Sequence, residues 1–116
     1  MVKNLIVAFG SQISGRSIEG SDFDFAVLAD KPLSLSDRTD ISEYLSGKCN
    51  INEDKIDLVD VSTASPILKF EIAKNGKLVD GEYSDFIRFK VRAFKEYVDT
   101  AKFRRMREKV MMKNHA

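Results

Sequence analysis

Two aspartates separated by one phenylalanine, Asp22 and Asp24, follow the pair Gly10-Ser11 after a spacer of ten residues. The run from residue 22 to 29 is predicted to be a strand, whose alternation would place both carboxylates on one side of a sheet. Two carboxylates on one face repel each other unless a cation lies between them, and paired hard oxygen ligands suit Mg²⁺. The spacing therefore predicts a magnesium site.

A third carboxylate comes from the segment KIDLVDV at residues 55–61, which is predicted to be a strand with Asp57 near its start. Three carboxylates on neighbouring strands would suit a two-metal site, in which one ion activates an attacking oxygen and the other stabilises a leaving phosphate. Asp60 falls on the opposite face of the same strand. We therefore expect Asp60 to be structural or at the surface.

The Gly10-Ser11 pair follows an apolar run at residues 4–9 that is predicted to be a buried strand. Glycine lets the backbone turn and approach a ligand closely. Backbone N–H groups at a helix start beginning at Ser11 would favour phosphate oxygens. The only histidine is His115, beside the C-terminus, so we expect phosphoryl chemistry driven by positioning and charge rather than by a side-chain nucleophile.

The composition is that of one globular domain of 116 residues, with 43% hydrophobic and 32% charged residues. Cys49 is the only cysteine, which excludes an intramolecular disulfide and favours a reducing compartment. Apolar runs fall short of the roughly 18–20 residues that a membrane span requires. We therefore expect a cytoplasmic protein that does not enter the membrane.

The element pattern predicts the order β-(short α)-β-α-β-α-β-α, a small mixed sheet packed against helices, of the α/β or α+β class. We expect a core at residues 1–80 and a long C-terminal helix at about 84–113. One helix should end near Gly47, and another should begin at Ser65-Pro66 and end at Asn75-Gly76, with the glycine as a left-handed terminator.

The C-terminal helix is basic, since residues 86–116 carry 10 Lys and Arg against 3 Asp and Glu, while residues 1–85 carry 9 against 15. One apolar stripe on this helix should pack on the sheet, whereas a second is either modestly exposed or meets a partner. The segment 102–109 is either a solvated face or a contact for an acidic surface. It lacks a recognised RNA-binding motif, so direct binding to nucleic acid is not expected. The two stripes are Phe86, Phe89, Ala93, Tyr97 and Ala101, and Ile87, Val91, Phe94 and Val98.

The pattern GS-x10-DxD with a later strand aspartate resembles the minimal nucleotidyltransferases of the DNA polymerase beta-like superfamily, over a stretch from Asn4 to about Val79. The resemblance implies that Gly10 and Ser11 hold nucleotide phosphates. It implies that Asp22, Asp24 and Asp57 bind Mg²⁺, with Asp57 acting as a metal ligand or as the base for an acceptor hydroxyl.

Small members of that superfamily are often encoded beside a HEPN-type RNase. The resemblance implies an antitoxin that transfers AMP from ATP to a tyrosine of this toxin, in a hetero-oligomer. Two alternatives stay open: a non-catalytic antitoxin that neutralises its partner by docking, and an enzyme that acts on a small-molecule hydroxyl. A chain of 116 residues has little room for an acceptor-binding domain, which favours a protein acceptor.

The chain departs from its relatives in the glycine-rich turn. Many relatives read GS-x-A-R-G, whereas this chain reads GSQISG, with Ser14 at the arginine position and Arg16 just beyond Gly15. Two alternatives follow: either Arg16 reaches the nucleotide phosphates in place of that arginine, or the phosphate contacts are weaker in this chain.

Overall fold

Four strands and three α-helices make up the described part of the chain, which is residues 4–10 and 22–114 of a computed structural model. Short 3-10 turns precede and follow the third strand, at Glu53–Lys55 and Val61–Thr63. The short helix expected after Ser11 lies outside the described residues. The strands are β1 (Leu5–Phe9), β2 (Phe23–Leu28), β3 (Ile56–Asp60) and β4 (Lys77–Asp80), and the helices are α1 (Leu35–Cys49), α2 (Pro66–Asn75) and α3 (Tyr83–Asn114).

The strands form one mixed sheet in the order β3-β2-β1-β4. β1 is antiparallel to both β2 and β4, whereas β2 and β3 run parallel. A parallel pair needs a crossover connection, and α1 supplies it between β2 and β3. The expected α/β architecture, a small mixed sheet packed against helices, is confirmed.

Both faces of the sheet are covered, which explains why all five residues of β1 are apolar and buried. On one face, the side chains of β1 and β2 pack against Ile41 and Leu45 of α1. On the other face, β1 and β2 pack against α2 and α3, through Ile72, Phe86 and Phe89 among others. Because side chains alternate along a strand, each strand residue points either toward α1 or toward α2 and α3. We call these two sides of the sheet the α1 face and the α2–α3 face.

Helix α1 begins and ends at side chains suited to these positions. Ser34 and Asp37 form a reciprocal capping box, with both hydrogen bonds 3.0 Å long. The helix continues past Gly47 to Cys49 and ends at Asn50, whose φ of 55° lies in the left-handed region. The end therefore lies near Gly47, as expected, with asparagine rather than glycine in the terminating conformation.

Gly76 ends α2 for a different reason from the one that the sequence suggested. Its φ is −74°, which is not left-handed, so the expectation of a left-handed terminator was wrong. A Cβ at this position would collide with the Ile72 carbonyl oxygen and the Val7 side chain. Glycine is needed here because the chain passes tightly between α2 and β1 on its way into β4.

Helix α3 packs on the sheet through the first predicted stripe, in which Phe86, Phe89 and Ala93 are buried. Further along, Tyr97 stacks on Phe70 of α2 with ring centroids 4.1 Å apart, and the Arg104 guanidinium lies 4.0 Å from the Tyr97 ring centre. This ladder of Phe70, Tyr97 and Arg104 fixes α2 against the middle of α3.

Candidate active site

Asp24 and Asp57 are direct neighbours across the parallel pair of strands, since the register places Asp24 of β2 opposite Asp57 of β3. Both belong to the α2–α3 face, because Ala26 and Val59, two residues further along their strands, join the core on that side. The antiparallel register places Phe9 of β1 opposite Asp24 on its other side. The end of β1 and the starts of β2 and β3 thus meet at one edge, which we call the carboxylate edge.

The electrostatics of Asp24 match this crowding. Burial raises the pKa of Asp24 above its ordinary value, and the negative charges of Asp57 and Asp22 raise it further, together with a side-chain hydrogen bond to Asp57. Asp22 lies just before β2 and is exposed, as is Asp57, whereas Asp24 is half-buried between its neighbours. The charges of Asp57 and Asp22 are therefore reflected in the ionisation of Asp24.

Gly10 directly follows β1 and lies at the carboxylate edge, against Asp24. Its φ is +91°, a conformation that residues with a side chain rarely adopt. A Cβ at this position would collide with the Asp24 carboxylate. Gly10 therefore makes room for Asp24, a role that adds to its expected closeness to a ligand. Ser11 and Arg16, the other two predicted phosphate contacts, lie outside the described residues.

Replacing Gly10 by alanine should damage both stability and Mg²⁺ binding. The positive φ should cost about 1–3 kcal/mol of unfolding free energy, and the new methyl group would displace the Asp24 carboxylate. We expect a lower midpoint in urea unfolding and a loss of the Mg²⁺ binding that the sequence predicts for the carboxylate edge. Gly47→Ala is the matched control, because a Cβ there meets nothing within 4 Å and should stabilise α1 by up to about 1 kcal/mol. Equal behaviour of the two variants would contradict the assigned role of Gly10.

The carboxylate edge does not form a complete cage of protein ligands. Within residues 4–10 and 22–114, no group of three or more carboxylate, imidazole or thiol side chains is gathered closely enough to hold a metal ion. Mg²⁺, however, is commonly held by one or two carboxylates together with waters and substrate phosphates. The adjacent oxygens of Asp24 and Asp57 fit that donor set, with Asp22 adding negative charge beside them.

Asp60, at the other end of β3, has a structural role that sequence reasoning left undefined. It is only 6% exposed. One carboxylate oxygen accepts a hydrogen bond from the Leu33 N–H at 2.9 Å, and the other accepts from the Ser62 N–H at 3.0 Å and the Ser62 hydroxyl at 2.7 Å. Asp60 thus joins the end of β3 to the segment that leads into α1. The Asp-x-Ser spacing after a strand was the available signal for this turn.

The ionisation of Asp60 is opposite to that of Asp24. Burial alone would raise its pKa, but the hydrogen bonds from Ser62 and from the Leu33 N–H, together with the charge of Arg38, outweigh burial and hold the pKa below its ordinary value. Arg38 also donates to the Leu58 carbonyl at 3.3 Å and so ties α1 to β3. Asp60 therefore remains ionised as a fully satisfied internal anchor, away from the carboxylate edge.

The helices in residues 4–10 and 22–114 differ from membrane-spanning helices. None of them combines the length and the apolar character that crossing a bilayer would require. The long α3 fails because charged residues recur along it.

Comparison with known proteins places this geometry in a family. Residues 3–83 match the family model "Polymerase beta, Nucleotidyltransferase", a range that includes the carboxylate edge and all four strands. The protein adenylyltransferase MntA of Shewanella oneidensis is 32% identical over 93 residues, which are 80% of this chain and 65% of that protein. This chain therefore spans less than two thirds of the length of that relative.

Solved structures agree with the family match. A chain in the crystal structure of a toxin–antitoxin with AMP-PNP superposes with a TM-score of 0.72 at 30% identity, covering 95% of this chain and 86% of that one. A complex of a tri-AMPylated Shewanella oneidensis HEPN toxin with MNT antitoxin gives a TM-score of 0.64 at 28% identity, covering 95% and 83%. The sequence match and the fold agree: this chain belongs to the polymerase beta nucleotidyltransferase family.

Proposed function

We propose that this chain is a single-domain, Mg²⁺-dependent protein adenylyltransferase that moves AMP from ATP to a tyrosine hydroxyl of a HEPN-type RNase toxin. By modifying the toxin within a hetero-oligomer, it would act as the antitoxin. The observation that carries the proposal is the juxtaposition of Asp24 and Asp57 on adjacent parallel strands, with Asp22 beside them and Gly10 folded against Asp24.

Support for the substrates comes from the relatives. The curated relative is named a protein adenylyltransferase, one solved relative was crystallised with the ATP analogue AMP-PNP, and another contains a HEPN toxin carrying AMP groups. In that last complex, the AMP groups are carried by the protein partner.

The three aspartates would have different roles in the transfer of AMP. Asp22 and Asp24 would hold Mg²⁺, which supplies charge stabilisation for the phosphate oxygens when bound. Asp57, exposed beside Asp24, is placed to share in that binding or to accept the proton of the acceptor hydroxyl. A bond forms between the acceptor oxygen and the α-phosphorus, and the bond from that phosphorus to pyrophosphate breaks. Pyrophosphate leaves with the bonding electron pair.

The turn after β1 would hold the nucleotide. Gly10 brings the backbone to the carboxylate edge, and the N–H groups from Ser11 onward would bind phosphate oxygens. Arg16 would supply the positive charge that relatives place at the position of Ser14. Substituting Arg16 should therefore weaken ATP binding while leaving the folded core intact.

A second candidate, neutralisation by docking alone, is favoured by one observation. Helix α3 exposes several large apolar side chains, among them Val91 and Phe94, so this chain offers a binding surface that does not depend on the carboxylates. Under this alternative, the carboxylate edge would bind nucleotide without transferring AMP.

One experiment separates the two candidates. The chain is incubated with ATP labelled at the α-phosphate, Mg²⁺ and the HEPN-type protein encoded beside it, and the double variant Asp22→Ala/Asp24→Ala is treated in parallel. We expect label on a toxin tyrosine with the wild type and none with the double variant. Undiminished neutralisation of the toxin by the double variant would refute the catalytic proposal in favour of docking.

The cell compartment follows from the same proposal. An ATP-dependent enzyme with an RNase as its acceptor works where both occur, and the single Cys49 suits a reducing environment. We therefore propose a cytoplasmic location, which cell fractionation would test.

A further inference from the structure

The outward side of α3 carries a line of four exposed apolar side chains, which we call the α3 seam. Its members are Ile87, Val91, Phe94 and Val98, with exposed fractions of 39%, 62%, 58% and 54%. Their spacing of four, three and four residues is that of alternating d and a positions in a heptad. Such a line fits against a helix of another polypeptide, as knobs into holes.

Within residues 4–10 and 22–114, the fold leaves the α3 seam largely exposed. The inward stripe of α3 packs on the sheet, and α2 approaches the seam through Phe70, whose ring centre lies 5.9 Å from that of Phe94. Single exposed apolar residues are common, but an unbroken line of them is typical of a binding surface.

Charges beside the α3 seam decide what can cover it. With Ile87 and Phe94 at d and Val91 and Val98 at a, the flanking e positions are Arg88, Lys95 and Lys102. The flanking g positions are Lys90, Tyr97 and Arg104. Arg88 is paired with Asp85 at 2.9 Å, and Arg104 lies over the Tyr97 ring. The basic character beside the seam therefore rests mainly on Lys90, Lys95 and Lys102. In coiled coils, e and g residues set partner choice through interhelical ion pairs. A second copy of this helix would place like charges against one another in either orientation.

We propose that the α3 seam is the surface through which this chain binds the HEPN-type toxin, against an apolar toxin helix flanked by acidic residues. This inference rests on the proposed function for the identity of the partner. It adds the contact surface, its helix-on-helix geometry and the sign of the partner's charges.

The position of the seam leaves the reaction centre free. The first turns of α3 lie at the end of the sheet opposite the carboxylate edge, where Arg88 and Arg92 line a cleft of about 720 Å³ with Asn4 and Leu28. Leu28 is the last residue of β2, whereas Asp24 is near its start. Damage to the seam should therefore weaken toxin binding without changing nucleotide binding.

The test compares seam variants with a matched exposed residue elsewhere. Val91→Asp and Phe94→Asp are measured against Leu35→Asp, whose parent side chain is 84% exposed on α1. Purified HEPN-type toxin is titrated calorimetrically into each protein, and ATP with Mg²⁺ is tested by thermal shift. We expect both seam variants to bind toxin at least about tenfold more weakly, with the control and the nucleotide-induced shift unchanged.

A second variant probes the charges without touching the apolar line. Lys95→Glu/Lys102→Glu should also weaken toxin binding about tenfold or more, with a loss that shrinks as salt is added. The proposal is overturned if Val91→Asp and Phe94→Asp bind toxin like the wild type. It is equally overturned if the chain alone dimerises in sedimentation and Val91→Asp abolishes that dimer.

Failure of the seam and failure of the proposed function give different results. If the wild type transfers AMP to the toxin and the seam variants do so with unchanged KM for toxin, only the seam assignment is wrong. If the wild type transfers no AMP yet the seam variants lose toxin binding, the seam stands and the enzyme assignment fails.

Discussion

Asp24→Asn should reduce AMP transfer by about a thousandfold, because a bound Mg²⁺ supplies several kcal/mol of charge stabilisation in the transition state. Asp24 is the carboxylate with a neighbour on each side: Asp57 across the strand pair, and Gly10 folded against it from β1. An amide is nearly the same size but a far weaker ligand for this ion. The transfer rate is measured with α-labelled ATP and purified toxin, with Asp30→Asn, an exposed aspartate after the far end of β2, as the control.

The same substitution should stabilise the metal-free protein at neutral pH. Burial and the charges of Asp57 and Asp22 raise the folded-state pKa of Asp24. Because this pKa is raised, the protonated Asp24 carboxyl stabilises the folded state at pH values below its unfolded-state pKa. This stabilisation is lost as the pH rises through the folded-state pKa. At pH 7 the ionised Asp24 is therefore unfavourable, and its neutral substitute should raise Tm by a few degrees. The gain should disappear on acidification, when wild-type Asp24 also becomes neutral.

Mg²⁺ should reverse that order of stability. A cation that binds only the folded state raises Tm, so Mg²⁺ with ATP should stabilise the wild type and have much less effect on Asp24→Asn. Two results would contradict the central role of Asp24. The first is an Asp24→Asn protein that is less stable than the wild type at pH 7 without metal. The second is a rate of AMP transfer by this variant within tenfold of the wild-type rate.

The carboxylate edge could be predicted from the sequence because strand alternation is a local property. The apolar runs around Asp24 and Asp57 identify their strands. Because side chains alternate along a strand, the position of each aspartate in its strand then determines the face of the sheet on which it lies. The parallel register that makes these two residues neighbours was not predictable in this way, since it depends on how α1 crosses between β2 and β3. Local pattern thus identified the side chains, whereas tertiary packing determined their contact.

Some backbone features could not be predicted from the local sequence pattern because they depend on residues that are distant along the chain. Gly76 looked like a left-handed helix terminator, yet glycine is needed there because Val7 of β1 lies against it. By contrast, the 84% exposure of Leu35 at the start of α1 has a local cause, although Ile41 and Leu45 of the same helix are buried. A spacing of six residues does not return to the same side of a helix with 3.6 residues per turn.

Asp60→Ala should destabilise the fold strongly, with a loss of about 2–4 kcal/mol of unfolding free energy. The Asp60 carboxylate is almost fully buried and accepts three hydrogen bonds, from Leu33 and Ser62. Alanine would leave these donors without an acceptor at the junction between β3 and the approach to α1. Urea unfolding at pH 7 measures the loss, with Asp40→Asn as an exposed control on α1 that should differ little from the wild type.

The pH dependence of Asp60→Asn identifies the charge as the cause. Because the folded-state pKa of Asp60 is held below its ordinary value, its ionisation stabilises the fold above the unfolded-state pKa of about 3.9, and this contribution is lost as the pH falls through the folded-state pKa. Asp60→Asn should thus be clearly less stable than the wild type at pH 7, and the difference should shrink below about pH 4. A difference that stays constant from pH 7 to pH 3 would show that shape, and not ionisation, makes this anchor effective. In that case the hydrogen bonds of Asp60 would matter only as neutral contacts.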